Sequence, residues 1–245
     1  MTGDEVHKMA AVEISHWWYR GMREIFFQTL EPYLAGRGPL RILDVACGTG
    51  ANLLQLSAFG NARGLDLDPL CVEYCRQRGL QCAPGNMLEL AEPPGSLDLV
   101  TLFDALTQAE ARDTERILSG IAKTLAAGGL LAFRETAMPI AAGAHDRAVG
   151  VLHRFTKPGL LALLRRTGFE PLRVTYGNTL LFPWIVLARR LQDAISPRHA
   201  ESDVQPTPGA LNTALLGVLR LEKTLIRVMD LPFGSSIFGV ARKVT

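Results

Sequence analysis

An excess of charge of one sign is missing from this chain. Twenty-six lysines and arginines face 24 aspartates and glutamates, a net of +2, so no strong field argues for a nucleic-acid partner. The basic residues are almost all arginine and spread along the chain, a matter of composition rather than of a patch. Long apolar runs are missing too. None reaches the length of a bilayer span, and the opening Met1-Thr2-Gly3-Asp4-Glu5 is polar and acidic, unlike a secretory leader. A cytoplasmic protein is expected. Cysteine is sparse: Cys47, Cys71, Cys75 and Cys82 all fall within residues 47–82. Cys71 and Cys75 lie one helical turn apart, which makes a metal pair conceivable, but no histidine or carboxylate cluster completes a site. Reduced, partly buried thiols and no metal are expected. There is no internal repeat. Aromatic residues make up 7% of the chain, and three of them stand together at Trp17, Trp18 and Tyr19. With 245 residues, 48% of them hydrophobic, the chain can build one full core, or one core and a sizeable cap.

What is present begins at residues 40–45, an apolar run that reads as a buried strand. It breaks at Gly48-Thr49-Gly50, and a helix-like run follows from Ala51. Glycines at such a turn let the backbone approach a ligand where a Cβ would clash, and a helix start offers free N–H groups. A second strand over 62–65 ends at Asp66, where a carboxylate can accept both hydroxyls of a ribose. Strand, glycine turn, helix, strand and acid make a nucleoside-binding half-domain. A dinucleotide fingerprint would need a third glycine where this chain has Leu53, so a bare NAD-type site is disfavoured.

The run Asp44-Val45-Ala46-Cys47-Gly48-Thr49-Gly50 resembles motif I of the class I S-adenosylmethionine methyltransferases, D-x-G-x-G-x-G. Ala46 stands where the family usually has its first glycine, a departure of one methyl. The resemblance covers residues 40–176. It implies an α/β fold, a Rossmann-like seven-stranded methyltransferase sheet with helices on both faces. The last strand, around 238–243, would insert antiparallel. It implies S-adenosyl-L-methionine as cofactor and S-adenosyl-L-homocysteine as product. Asp44, Ala46, Gly48, Gly50, Asp66 and Leu67 would bind the cofactor. Asn86 and Met87, in the loop after a short third strand, would hold adenine; as a residue-level alternative Asn86 is a turn former. Phe103 and Asp104 end the fourth strand beside the cofactor. Gln108 stands where relatives often have histidine, and an amide there cannot act as a base. Ala126-Ala127-Gly128-Gly129 forms the turn before a fifth strand.

Residues 12–34 read as one helix. A helix cannot bury the adjacent aromatics on one face. They are either a lid over cofactor and substrate, with Arg20 reaching the cofactor carboxylate, or core packing on the sheet. The run Glu13-Ile14-Ser15-His16-Trp17-Trp18-Tyr19-Arg20-Gly21-Met22 is similar to the E-x-x-H-W-W-F/Y-R-G-R opening of bacterial methyltransferases linked to glycan and secondary-metabolite pathways, with Met22 in place of arginine. In the lid reading Tyr19 and Arg20 serve the cofactor and Trp17 and Trp18 the substrate.

The expected division is an N-terminal lid at 1–38, a cofactor-binding core at 39–177, a helical insertion at 178–233 and a final strand at 234–245. The insertion has two apolar helical pieces, 181–195 and 210–229, around a proline-rich linker at 196–208. It is read as a cap over a bulky or lipid-linked acceptor, as a homodimer interface, or as a peripheral membrane contact. Residues 136–150 read as a mobile loop in which His145 and Asp146 are solvated. His153, after that loop, is the first candidate base, with a structural role as its alternative, and His16 is the second. Glu135 ends the fifth strand where substrate should sit, and Arg154 is a substrate contact; the alternative for Glu135 is an ion pair with Arg134. The function expected is methyl transfer to an oxygen, hydroxyl or carboxylate, of a medium-sized natural product, sugar or lipid-linked acceptor. The alternatives are a non-methylating reaction on the same fold and an NAD-dependent oxidoreductase.

Overall fold

The computed structural model describes residues 3–195 and 207–244. Two helices open the chain, α1 (Gly3–Val12) and α2 (Trp17–Leu30). Of the helix expected over 12–34, residues 17–30 are α-helical and 31–33 a 3-10 turn. Helix α1, which was not expected, precedes it, and residues 13–16 turn between the two. The break comes because His16 takes an extended backbone, φ −68° and ψ 135°. Strand β1 (Leu40–Val45), helix α3 (Ala51–Leu56), β2 (Gly60–Asp66), α4 (Pro69–Gln77) and β3 (Cys82–Pro84) form the first half of the sheet. Asp68 caps α4 by accepting from the Leu70 N–H, with Pro69 in the first turn, where its missing N–H costs nothing. The second half holds β4 (Leu97–Phe103), α5 (Thr114–Thr124) and β5 (Leu125–Thr136), then α6 (Ala144–Val149), α7 (Lys157–Arg166) and β6 (Phe169–Gly177). Strand β5 starts at Leu125, earlier than expected, and carries the glycine turn within it as a register shift against β4. The chain ends with α8 (Phe182–Ile195), α9 (Gly209–Val228) and β7 (Ser236–Lys243).

The sheet has seven strands in the order β3-β2-β1-β4-β5-β7-β6, and β7 runs antiparallel to both of its neighbours. This is the α/β, Rossmann-like methyltransferase sheet expected. Strands β1, β4 and β5 are buried almost throughout, as parallel strands covered on both faces must be. Phe26 and Phe27 of α2 pack with Phe133, Phe169 and Phe238 in the fully buried core, each stabilising by roughly 1.5–3 kcal/mol. The order reverses between β1 and β4, and an open α/β sheet binds ligands at the carboxyl ends of the strands at such a point.

The insertion is locked to the N-terminal helices. A Cβ on Gly21 would lie 2.3 Å from Leu219 Cδ1, so that glycine admits the close crossing of α2 and α9. Glu24 accepts from Arg220 at 2.7 and 3.0 Å, Gln28 donates to the Lys223 carbonyl at 2.7 Å, and the Trp17 N–H donates to Asn212 at 2.7 Å. Buried Glu222 of α9 accepts the backbone N–H groups of Asn178, Thr179 and Leu180, and its burial raises its pKa. One carboxylate thereby anchors the start of the insertion. Of the expected linker at 196–208, residues 196–206 lie outside the described residues. No helix among the described residues is long and apolar enough to cross a membrane.

Candidate active site

At the switch point two residues leave their strands in the left-handed region: Ala46 after β1 at φ +56° and Asp104 after β4 at φ +51°. Non-glycine residues rarely sit there, and such strain gathers at functional sites. The cost of Ala46 is therefore conformational rather than the one methyl of bulk expected from sequence. Gly48 (φ +56°) and Gly50 (φ +94°) carry the same turn. A Cβ on Gly48 would come within 3.3 Å of the Met9 methyl, so α1 lies directly over the turn. Asp66 Oδ2 accepts the Gly48 N–H at 2.8 Å and Oδ1 the Asp68 N–H at 2.9 Å. Burial raises its pKa, against these bonds. Each oxygen keeps lone pairs for a diol.

A cavity of about 790 Å³ opens here. Its first end is lined by Ala46, Asp66, Leu67, Asn86, Met87 and Phe103. Leu67 is 70% exposed, an apolar surface awaiting a ring. Asn86 accepts the Leu88 N–H at 3.0 Å, the turn role anticipated, while also facing the cavity. Its amide N–H₂ is a donor for a base edge. A glycine turn, a carboxylate and an exposed leucine side by side have the chemistry that a nucleoside cofactor needs. Asp44, Gly48 and Gly50 support this end from behind rather than lining it. Asp44 is fully buried, accepts from Thr101 at 2.6 Å, and is pushed up to about 7 by burial.

The N-terminal segment closes the cavity from above. His16, Trp17, Trp18, Tyr19 and Met22 line it. Burial, with Glu13 nearby, raises the Tyr19 pKa and keeps the phenol neutral. His16 Nε2 lies 2.9 Å from the Thr207 hydroxyl. Arg20 does not line the cavity; Arg23, one turn on, does. Sequence reasoning missed the clamp that holds this segment. Buried Glu13 accepts from the Thr49 hydroxyl and from Arg78, which also donates to the carbonyls of Thr49 (2.8 Å) and Ala10 (3.2 Å). The glutamate of the E-x-x-H run was the signal for it.

The far end is lined by Gln108, Arg134, Thr136, Asp146, Arg154 and Arg189. Arg134 pairs with Asp104 and lies 6.0 Å from the centre of the Trp18 ring. Arg154 holds Asp146 through two bonds, at 2.5 and 2.7 Å, and Arg189 reaches the same carboxylate at 3.4 Å. Asp146 is thus buried and paired, not the solvated loop residue expected, and its segment is helix α6 rather than loop. The His145 side chain lies outside the described residues. Ile185 and Arg189 bring α8 into the wall.

Two catalytic candidates lie elsewhere. His153 is absent from the wall that holds Val151 and Arg154. Its ring packs edge-on against Phe155, centroids 4.8 Å apart, and burial lowers its pKa. Glu135 is fully buried outside the cavity. Its oxygens accept the Leu106 and Thr107 N–H groups, each at 3.1 Å, so it holds the turn after β4 and does not pair with Arg134. Burial and nearby Asp104 push it up to about 8.

Residues 42–129 match a family model described as a methyltransferase domain. No curated protein matches the sequence. Among solved structures, an S-adenosylmethionine-dependent methyltransferase from Mesorhizobium loti is 22% identical with a TM-score of 0.56, covering 88% of this chain and 98% of that one. A Haemonchus contortus phosphoethanolamine N-methyltransferase in complex with S-adenosyl-L-methionine is 17% identical with a TM-score of 0.60, covering 93% and 53%. The [4+2]-cyclase SpnF is 21% identical with a TM-score of 0.55, covering 89% and 81%. The family match over residues 42–129, the strand order and the glycine turn beside Asp66 agree with a methyltransferase domain on this fold.

Proposed function

We propose that the protein transfers a methyl group to an oxygen of a medium-sized, partly apolar acceptor such as a natural product, sugar or lipid-linked molecule, and that a carboxylate is the favoured oxygen. The observation that carries this is the far end of the cavity, where Arg134, Arg154 and Arg189 face two aspartates. The guanidinium N–H groups gathered there are charge-assisted donors that suit an anionic group. Bound at the first end, the cofactor supplies an electrophilic methyl. The chain's part is to hold nucleophile and methyl in line and to exclude water, which can lower the barrier by several kcal/mol.

A hydroxyl acceptor would want a base, and a carboxylate wants none. The titratable groups facing the acceptor are poorly placed to be one. Tyr19 is held neutral, Asp104 and Asp146 are paired with arginines, and His16 is bonded to Thr207. The N-terminal lid and the α8 cap are assigned to closing the site. The homodimer reading draws on α8, where Trp184, Leu187 and Leu191 are 70%, 49% and 54% exposed. The membrane reading rests on the basic face of α9, where Arg220 and Lys223 pair with Glu24.

The test is release of S-adenosylhomocysteine with matched carboxylic acids and alcohols, read by mass spectrometry. The proposal expects turnover of the acids, with a rate flat to about twofold between roughly pH 6.5 and 8.5, since no base titrates. Turnover of the alcohols alone, rising with pH, would overturn it. A second reading follows from the fold shared with a [4+2]-cyclase: a substrate consumed without S-adenosylhomocysteine release would make the cofactor a fixed part of the site. Thermal stabilisation by NAD and not by S-adenosylmethionine would restore the oxidoreductase alternative.

A further inference from the structure

We propose that Cys47, Cys75 and Cys82 bind one thiophilic d¹⁰ cation, Zn(II) or Cu(I), beneath the glycine turn. From sequence the suggestive pair was Cys71 and Cys75; the fold separates that pair and assembles another set. Cys47 follows β1, Cys75 lies near the end of α4, and Cys82 opens the edge strand β3. Their sulfurs all lie within 4.8 Å of one another, with Cys47 at 3.8 Å from Cys75 and 3.4 Å from Cys82. Three thiolates about a cation at ~2.3 Å stand roughly 3.8 Å apart in a tetrahedral arrangement and about 4.0 Å in a trigonal one. The two measured sides, 3.8 and 3.4 Å, lie within about 0.4 Å of the tetrahedral spacing.

The space for the sulfurs is held open by missing side chains. A Cβ on Gly64 would lie 2.5 Å from Cys47 Sγ, and one on Gly50 2.9 Å from Cys75 Sγ. Thiolates are soft ligands and select Zn(II) and Cu(I) over the oxygen-seeking ions. Three converging sulfurs with no nitrogen or carboxylate oxygen among them point to this class. On binding, the thiol protons leave to solvent and the cation takes their place. Cys71 lines the cofactor cavity, as Cys47 also does, but is not part of the cluster.

The site borders the cofactor. Cys75 Sγ is 3.3 Å and Cys47 Sγ 3.7 Å from the Gly48 carbonyl oxygen, and as thiols both donate to it. A bound cation removes those donors, so occupancy is felt at the turn that meets the cofactor. Coupling between two such sites is reciprocal.

The experiment uses the full chain, reduced and stripped of metal. Zn(II) is titrated against a chromophoric chelator, and Cu(I) against a colorimetric competitor without oxygen, to tell the two ions apart. Cd(II) is added separately to read the thiolate-to-metal absorption band. The proposal expects one equivalent bound more tightly than about 1 µM by at least one of the two ions, and a Cd(II) band of three thiolates. Cys82→Ser should weaken binding at least ~100-fold, and Cys71→Ser should leave it unchanged. S-adenosylhomocysteine affinity should differ at least about fivefold between loaded and stripped protein. Binding weaker than 1 µM for both ions, or an equal loss in Cys71→Ser, would overturn the site. The cadmium band on unmodified protein decides the matter even where Cys82→Ser fails to fold.

Discussion

The two ends of the cavity are built by different means. The cofactor end is made largely of backbone: a glycine turn, two left-handed residues at strand ends, and one aspartate already bonded to that turn. The turn and its aspartate come from residues 46–68, close in sequence, and only Asp104 joins them from the end of β4. The acceptor end is made of side chains brought from β5, α6, the segment before α7, and α8, tied by ion pairs that join α6 to Arg154 and Arg189. A site that recognises one fixed ligand can be written into a short motif. A site that must suit a particular acceptor is assembled from distant parts that vary independently.

The largest expected effect separates those ends. Asp66→Ala should weaken S-adenosylhomocysteine binding by ~1–3 kcal/mol, about 5- to 150-fold, through lost hydrogen bonds to a charged acceptor. Gln108→Ala, exposed at the other end, should leave that affinity unchanged and raise the KM for the acceptor. Calorimetry showing equal losses in both variants would break the division.

The next effect is on stability. Glu135 moves from an ordinary 4.5 to about 8 on folding, and Asp44 from 3.8 to about 7, both chiefly by burial. A raised carboxyl binds more protons folded than unfolded, so stability is fully present below the unfolded value and is lost as pH rises through the folded one. The melting temperature should therefore fall between about pH 4.5 and 8. Glu135→Gln should flatten the part above pH 7, leaving the share due to Asp44. An unaltered slope in that variant would place the titration on another group.

The smallest effect sharpens the comparison at the cofactor end. Ala46→Gly removes the cost of a left-handed alanine, roughly 1–2 kcal/mol, against an entropy loss of ~0.5–1 kcal/mol for glycine. A net gain of up to about 1 kcal/mol is expected, read as a higher urea midpoint at constant m. A lower midpoint would mean that the Ala46 methyl contributes packing that outweighs its strain.

Much of the core was legible because its signals are local. Alternating strands and helices, Asp68-Pro69 at a helix start, and the glycine turn each follow from neighbours in the chain. The N-terminal break was not legible. Helical spacing ran through residues 13–16, and the force that overrode it is Glu13 turning in to Thr49 and Arg78, 36 and 65 residues away. The role of Gly21 was hidden too, because its partner Leu219 follows it only after the whole core of the chain in sequence.

By itself the sequence determined the sheet, the turn and Asp66, since strand periodicity and backbone-permissive glycines act over a few residues. Only the tertiary structure decided that His153 stands outside the cavity, that Glu135 braces a turn, that Asp146 is buried between two arginines, and that three of four cysteines converge. Those outcomes depend on which distant side chains end up sharing a low-dielectric interior. There an unpaired charge or donor is costly enough to choose its own partner.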